Sequence, residues 1–182
     1  MNTEISIVAA KFSDVDEIYR LLSDSVEEWV KGFPPADPLA LMKWVIQVVA
    51  NEFCNIALVS GEIVGSCGLE PTTVPWNPSA PYLGGGWFYV KPEYRVGGTG
   101  TTLLADMIGA AKKRNIPVAM SVTWGKDAKV KDTFLRDNNL QYVGGNFVCG
   151  FDTRGNGSKT AEQILAERKA EKEESVAAPG VE

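Results

Sequence analysis

A single α/β domain, built on a mixed but mostly antiparallel sheet flanked by helices, is the fold class that this sequence predicts. Three observations point to it. Two apolar runs, residues 55–60 and 63–69, flank Gly61-Glu62 and read as a β-hairpin. Segments with apolar residues at three- and four-residue steps alternate with short β-branched runs. A strand ending at Val90 leads through Pro92 and a glycine-rich turn into an amphipathic helix. At 182 residues the chain can bury one sizeable core.

The elements follow in order. Residues 4–10 are apolar and β-branched and predict a first strand. Ser13 stands before Asp14, Asp16 and Glu17, as an N-cap followed by acids at the positive end of a helix dipole. Val15, Ile18, Leu22, Val26 and Trp29 give that helix one apolar face, and Gly32, Pro34 and Pro35 end it. Asp37-Pro38 opens a second helix, with a capping acid and a proline at the first helical position. Leu41, Trp44, Val45 and Val48 carry its buried face. Residues 71–81 hold four prolines and predict a long connecting loop, a candidate lid with Trp76 and Asn77 at its centre. Residues 84–90 regain strand character. Residues 101–114 predict a helix with Leu104, Ile108 and Ala111 inward, residues 117–124 a buried strand, and residues 130–138 a helix. Residues 141–144 and 146–151 predict a closing pair of strands.

After Arg154 the composition changes. Gly155-Asn156-Gly157-Ser158 reads as a flexible break, and Thr160 with Gln163 fits a capping box. Residues 160–174 have only Ile164 and Leu165 to bury, and residues 175–182 read as a loose end. The expected organisation is one domain over residues 1–154 and a charged, partly helical tail over 155–182. That tail reads either as an oligomerisation or docking helix or as a solvated end; a homodimer is among the expected assemblies.

Composition excludes several chemistries. The chain has no histidine, so a Ser-His-Asp triad, a Cys-His pair, an H-E-x-x-H zinc site and any imidazole base are impossible. A net charge of −5 argues against a general nucleic-acid binder. Cys54, Cys67 and Cys149 are odd in number, widely spaced and without a C-x-x-C, which predicts free thiols in a reducing compartment and no metal site. The N-terminus lacks a signal-peptide pattern, and no apolar stretch approaches the ~18 residues of a membrane span. The expectation is a cytoplasmic protein with no membrane or nucleic-acid partner.

Chemistry concentrates in residues 90–104, V-K-P-E-Y-R-V-G-G-T-G-T-T-L-L. Proline stops the strand, and Gly97, Gly98 and Gly100 remove side chains where backbone N–H groups converge on a helix N-terminus. Such an arrangement suits a phosphate or pyrophosphate. It is not a P-loop, since no Gly-Lys-Ser/Thr follows, and its mid-chain place after hairpin signals does not suit a Rossmann turn. It does read R-x-x-G-x-G, at Arg95, Gly98 and Gly100.

With V-x-P-E-Y before this motif, the hairpin A-L-V-S-G-E-I-V-G-S-C-G-L and two helices upstream, the chain resembles the GNAT family of N-acetyltransferases. The resemblance implies a GNAT fold, its sheet splayed at the cofactor site, and acetyl-CoA or another acyl-CoA as donor. It implies that backbone amides of Arg95, Val96, Gly97, Gly98, Thr99, Gly100 and Thr101 hold the pyrophosphate. It further implies that Phe88, Tyr89 and Val90 pair with the pantetheine, with a strand amide, that of Val90 foremost, as oxyanion donor. The splay lies between this strand and residues 117–124. Direct transfer to a primary amine needs no covalent enzyme intermediate, which suits a histidine-free chain.

The sequence departs from the family pattern at two points. The strand before the motif, G-G-G-W-F-Y, carries no acid, and Glu70 is the candidate general base or else a solvated strand-end glutamate. The L-Y-x-x-x-G-F tyrosine that reprotonates the thiolate is replaced in F-L-R-D-N-N-L, where Leu135 stands in its place. Tyr142, Ser121 and Thr123 are remote substitutes. Glu93 reads as structural. Cys67 reads as a nucleophile or as a buried small hydrophobe, the latter favoured. Trp29, Phe33, Trp44, Trp76, Tyr82 and Trp87 either wall an acceptor pocket or pack the core.

The leading expectation is an acyl-CoA-dependent N-acetyltransferase acting on a small-molecule or peptide amine. The alternative is a GNAT-fold CoA-binding or assembly module with little or no turnover. Transfer of an amino acid from aminoacyl-tRNA is weaker, given the acidic balance.

Overall fold

The computed structural model describes residues 4–26, 36–74, 77–121 and 128–142. Strand β1 (Ile5–Ala9) leads through a 3-10 turn (Phe12–Asp14) into α1 (Val15–Ser25), and α2 (Pro38–Ala50) follows. Strands β2 (Cys54–Val59), β3 (Glu62–Val74) and β4 (Asn77–Val90) come next. A second 3-10 turn (Pro92–Tyr94) precedes α3 (Thr99–Lys113), and α4 is Ala128–Asp137. The four strands form an open antiparallel sheet in the order β1-β2-β3-β4.

Side-chain alternation, shifted by bulges in β3 and β4, divides the sheet residues between two cores. Cys54, Ile56, Ile63 and Trp87 pack with Val15, Ile18, Leu22, Leu41, Val45 and Val48 of α1 and α2. Ala57, Val59, Val64, Cys67, Leu69, Leu83 and Val90 pack with Leu103, Met107 and Ala111 of α3. The sheet is thus sandwiched, with α1 and α2 on one face and α3 on the other. Asn55 Nδ2 donates to Asp106 Oδ2 at 2.7 Å and ties α3 to β2.

The helix boundaries differ from expectation in informative ways. Ser13 does not cap α1. It lies within the 3-10 turn, where Asp14 Oδ2 accepts from the Lys11 amide at 2.7 Å. Asp37 does cap α2, its Oδ1 accepting from the amides of Leu39 and Ala40 at 2.8 and 3.2 Å. The β2–β3 turn falls one residue earlier than predicted. Ser60 and Gly61 both have positive φ (53° and 84°), and Val59 pairs with Glu62, the geometry of a two-residue primed hairpin turn. Helix α3 begins two residues before the predicted start, so Gly100 and Thr101 lie in its first turn.

The largest correction concerns residues 71–81, predicted as a loop and lid. They are strand. Pro71 pairs with Leu83, Thr72 with Tyr82 and Thr73 with Pro81. Pro71 and Pro81 are tolerated because of where their nitrogens point. Leu83 N donates to Pro117 O and its carbonyl accepts from Ala119 N, so Leu83 turns both polar groups away from β3. Its partner Pro71 therefore sits in a non-hydrogen-bonded pair, where no N–H toward β4 is required, and Pro81, two residues from Leu83, repeats that phase.

Residues 117–121 make one parallel bridge, Leu83↔Val118, rather than a strand, and residues 122–127 lie outside the described residues. The expected strands at 141–144 and 146–151 lie outside them from residue 143 onward, and so does the 155–182 tail. No helix among the described residues is long and apolar enough to cross a membrane.

Candidate active site

The site begins at a kink in β4. Gly68 pairs with Trp87 and Glu70 with Gly84, so three residue steps on β4 oppose two on β3. Gly85 takes φ +66°, the left-handed conformation of a glycine bulge. A Cβ on Gly86 would lie 1.7 Å from the Gly68 carbonyl oxygen, so only glycine fits there.

The extra residue flips the phase of the strand. Before it, Leu83 directs its N–H and C=O outward to residues 117–119. After it, Lys91 N donates inward to Val64 O, which by alternation turns the polar groups of Val90, Phe88 and Gly86 outward. Arg95 Nε donates to Val90 O at 2.8 Å, in keeping with that orientation. Among the described residues, the backbones of β4 and the 117–121 segment pair at Leu83↔Val118, and Ala119 O also lies close to Gly84. Beyond that bridge, no strand among the described residues pairs with the outer edge of β4.

At the far end of this edge is the glycine turn. Gly97 and Gly98 have φ +104° and +90°, and a Cβ on either would meet nothing within 4 Å, so the turn is open on the side a ligand would approach. The first helical hydrogen bond of α3 runs from Thr102 N to Gly98 O at 2.9 Å. The amides of Thr99, Gly100 and Thr101 therefore head the helix without an intrahelical partner. Thr99 is buried, whereas Val96, Gly97, Gly98 and Thr101 are exposed. This cradle can hold a phosphate or pyrophosphate.

Arg95 differs from its neighbours. Its amide donates to Pro92 O at 3.2 Å, and its guanidinium lies 5.4 Å from the centroid of the Tyr89 ring. With the bond to Val90 O, this arginine fastens the turn to the end of β4. Phe88 packs its ring against Phe134 of α4, with centroids 5.5 Å apart, and a Cβ on Gly100 would touch Phe134 at 3.4 Å. Phe134 is a site neighbour that sequence reasoning missed.

Glu70 lies beside the bulge on the face toward α2. It is half-buried, and its Oε1 accepts a hydrogen bond from Trp44 Nε1. It is not the freely solvated strand-end glutamate of the alternative reading. Trp44 meets Trp87 edge to face, with centroids 5.0 Å apart and planes at 76°. Trp87 Nε1 donates to the buried Ser66 Oγ at 3.0 Å. Three aromatic and acidic side chains are thus gathered from α2, β3 and β4.

Other candidates are placed differently. Leu135, at the position of the family tyrosine, is half-buried, while Tyr142 is exposed beneath the Arg136 guanidinium, 4.8 Å from its ring centroid. Ser121 is exposed. Trp29, Phe33, Trp76, Thr123 and Cys149 lie outside the described residues. Burial pushes the Cys54 thiol up to about 11 and the fully buried Cys67 thiol higher still. Cys67 is therefore a small core residue and not a nucleophile.

The family model for the acetyltransferase (GNAT) family matches residues 16–128, more than half of the chain. The chain belongs to the GNAT acetyltransferase family. Solved structures share the GNAT fold at low identity. A predicted acetyltransferase with acetyl-CoA from Clostridium acetobutylicum is 17% identical, with TM-score 0.63, covering 80% of this chain and 96% of that one. A ribosomal-protein-alanine N-acetyltransferase from Brucella melitensis is 20% identical, with TM-score 0.62, covering 76% and 86%. The aminoglycoside N-acetyltransferase AAC(6')-Iy in complex with CoA is 13% identical, with TM-score 0.63, covering 82% and 95%. No curated protein matches this GNAT chain in sequence.

Proposed function

We propose that this GNAT domain transfers an acetyl group from acetyl-CoA to a primary amine by direct attack. The observation that carries the reading is the continuity of the outer edge of β4 with the open glycine turn at the head of α3. Acetyl-CoA needs both a strand edge for its amide-bearing arm and an anion cradle for its pyrophosphate. The amides of residues 96–101 and the positive end of α3 supply the cradle. Arg95 acts by holding the turn against β4. The GNAT solved structures that hold acetyl-CoA or CoA support the same donor.

In the reaction, the amine nitrogen attacks the thioester carbonyl carbon, the C–S bond breaks, and the amine gives up a proton. Glu70 is the base in this reading, its carboxylate fixed through Oε1 by Trp44. The oxyanion needs an outward N–H near that base. Phe88 pairs with Cys67, three residues from Glu70 or about 10 Å along the strand, whereas Val90 pairs with Gly65, two residues farther away. The Phe88 amide is therefore the better-placed donor, and that of Val90 serves the arm. The departing thiolate takes its proton from water, since Leu135 cannot supply one.

Calorimetric titration with acetyl-CoA, followed by CoA release with a panel of amines, tests the reading. Binding at micromolar ligand and amine-dependent release are expected. No heat at high micromolar acetyl-CoA would overturn it.

A further inference from the structure

We infer that the acceptor is a singly charged amine with an apolar body, an alkyl or arylalkyl amine, and not a polycation; this rests on the amine-transfer reading above. The indole of Trp44 is fixed at two points, by its N–H bond to Glu70 and by its edge against Trp87. Trp87 is fixed in turn by Ser66, and its ring lies so close over Gly68 that a Cβ there would come within 2.5 Å. The result is a preorganised Trp44 indole, half-buried and backed by the buried Trp87, with one carboxylate at its N–H edge. An ammonium held there gains the carboxylate charge beside the indole of Trp44.

Trp44 also lines an open recess of about 390 Å³, together with Ala36, Asp37, Ala40 and Leu41 among the described residues. Four of these lining residues are apolar or aromatic, and among the described residues Asp37 is the one charged member. Its Oδ1 already accepts from the Leu39 and Ala40 amides at the positive end of α2. A second ammonium would meet a carboxylate engaged as a helix cap, with apolar walls around it. A single ammonium at Glu70 with an apolar body over Ala40, Leu41 and Trp44 leaves no charge stranded.

CoA release by the full chain, measured with 2-phenylethylamine, hexylamine, spermidine and kanamycin, tests this. We expect kcat/KM for the first two to exceed that for the polycations by 10-fold or more. Ala40 is exposed on α2, so Ala40→Lys should fold normally. It should raise KM for 2-phenylethylamine at least 10-fold with KM for acetyl-CoA unchanged. Trp44→Phe, which keeps a ring but loses the N–H, should lower kcat more than it changes amine KM. Preference for spermidine or kanamycin, or an unchanged amine KM in Ala40→Lys, would overturn the inference while leaving amine transfer standing. Release with none of the amines, in a protein that binds acetyl-CoA, would overturn amine transfer and this inference together.

Discussion

Replacing Gly86 with alanine should uncouple the two halves of the site. A Cβ at this position would sit 1.7 Å from Gly68 O, 2.6 Å from Gly68 C and 2.8 Å from Leu69 Cα, all backbone atoms. Real Cβ contacts essentially never fall below 3.0 Å, so β3 and β4 must part locally by about 1.3 Å. A cross-strand hydrogen bond of about 2.9 Å does not survive that displacement. Losing one or two such bonds in a buried ladder costs about 2–5 kcal/mol, because the freed groups are left without partners. In a chain of this size that lowers Tm by roughly 5–15 °C. The chain could escape by flattening the bulge, but the phase of β4 would then revert and the Phe88 and Val90 polar groups would turn toward β3. By either route acetyl-CoA affinity should fall at least 10-fold. Calorimetric binding and thermal unfolding, with Gly109→Ala as control, read this out. Gly109 has open space around its Cβ position within α3, and alanine there should hold or raise Tm. Wild-type Tm and affinity in Gly86→Ala would refute the bulge argument.

Three further outcomes follow from the geometry. Glu70→Gln keeps an oxygen for Trp44 Nε1 but removes the base, so kcat should fall about 10²-fold with acetyl-CoA binding retained; an unchanged rate would assign the proton to water. Gly98 has φ +90°, so Gly98→Val should abolish acetyl-CoA binding and also cost stability through backbone strain, whereas Gly98→Asn, which tolerates that conformation better, should lose less of both in calorimetry and melting. Burial holds the Cys54 thiol protonated up to about pH 11 in the native state, against an ordinary value of 9.0. The unfolded chain releases that proton first, so stability should fall as pH rises from 9 to 11, by roughly 2–3 kcal/mol for this group. Denaturant titrations across that range check the slope, and Cys54 and Cys67 should resist iodoacetamide at pH 8 in mass spectra of the native protein.

Much of the fold is local and was therefore legible in residues. Asp37-Pro38 encodes a cap and a first helical residue in two adjacent letters, and the structure uses them so. The β2–β3 hairpin and the strand–turn–helix around residues 90–104 are likewise short-range. Residues 71–81 misled because proline content reports only that N–H donors are missing. Whether a donor is needed depends on which pair is hydrogen-bonded, and that phase is set by the partner strand. The bulge was half visible: Gly84-Gly85-Gly86 announces a place without side chains, but the choice of a left-handed residue and a Gly68 contact arises only when β3 lies alongside.

By itself the sequence determined the chemistry available: no imidazole, a glycine turn before a helix, and one acid at residue 70 near the strand that carries the motif. Tertiary structure decided what those groups face. The bulge turns the Phe88 and Val90 polar groups outward, Arg95 fastens the turn to β4, and Trp44, 26 residues before Glu70, arrives from α2 to hold its carboxylate. Composition and spacing record which donors and acceptors a chain possesses. Their direction is fixed by strand phase and by contacts between elements distant in sequence, and direction is what makes a binding edge from a strand and a candidate base from a glutamate.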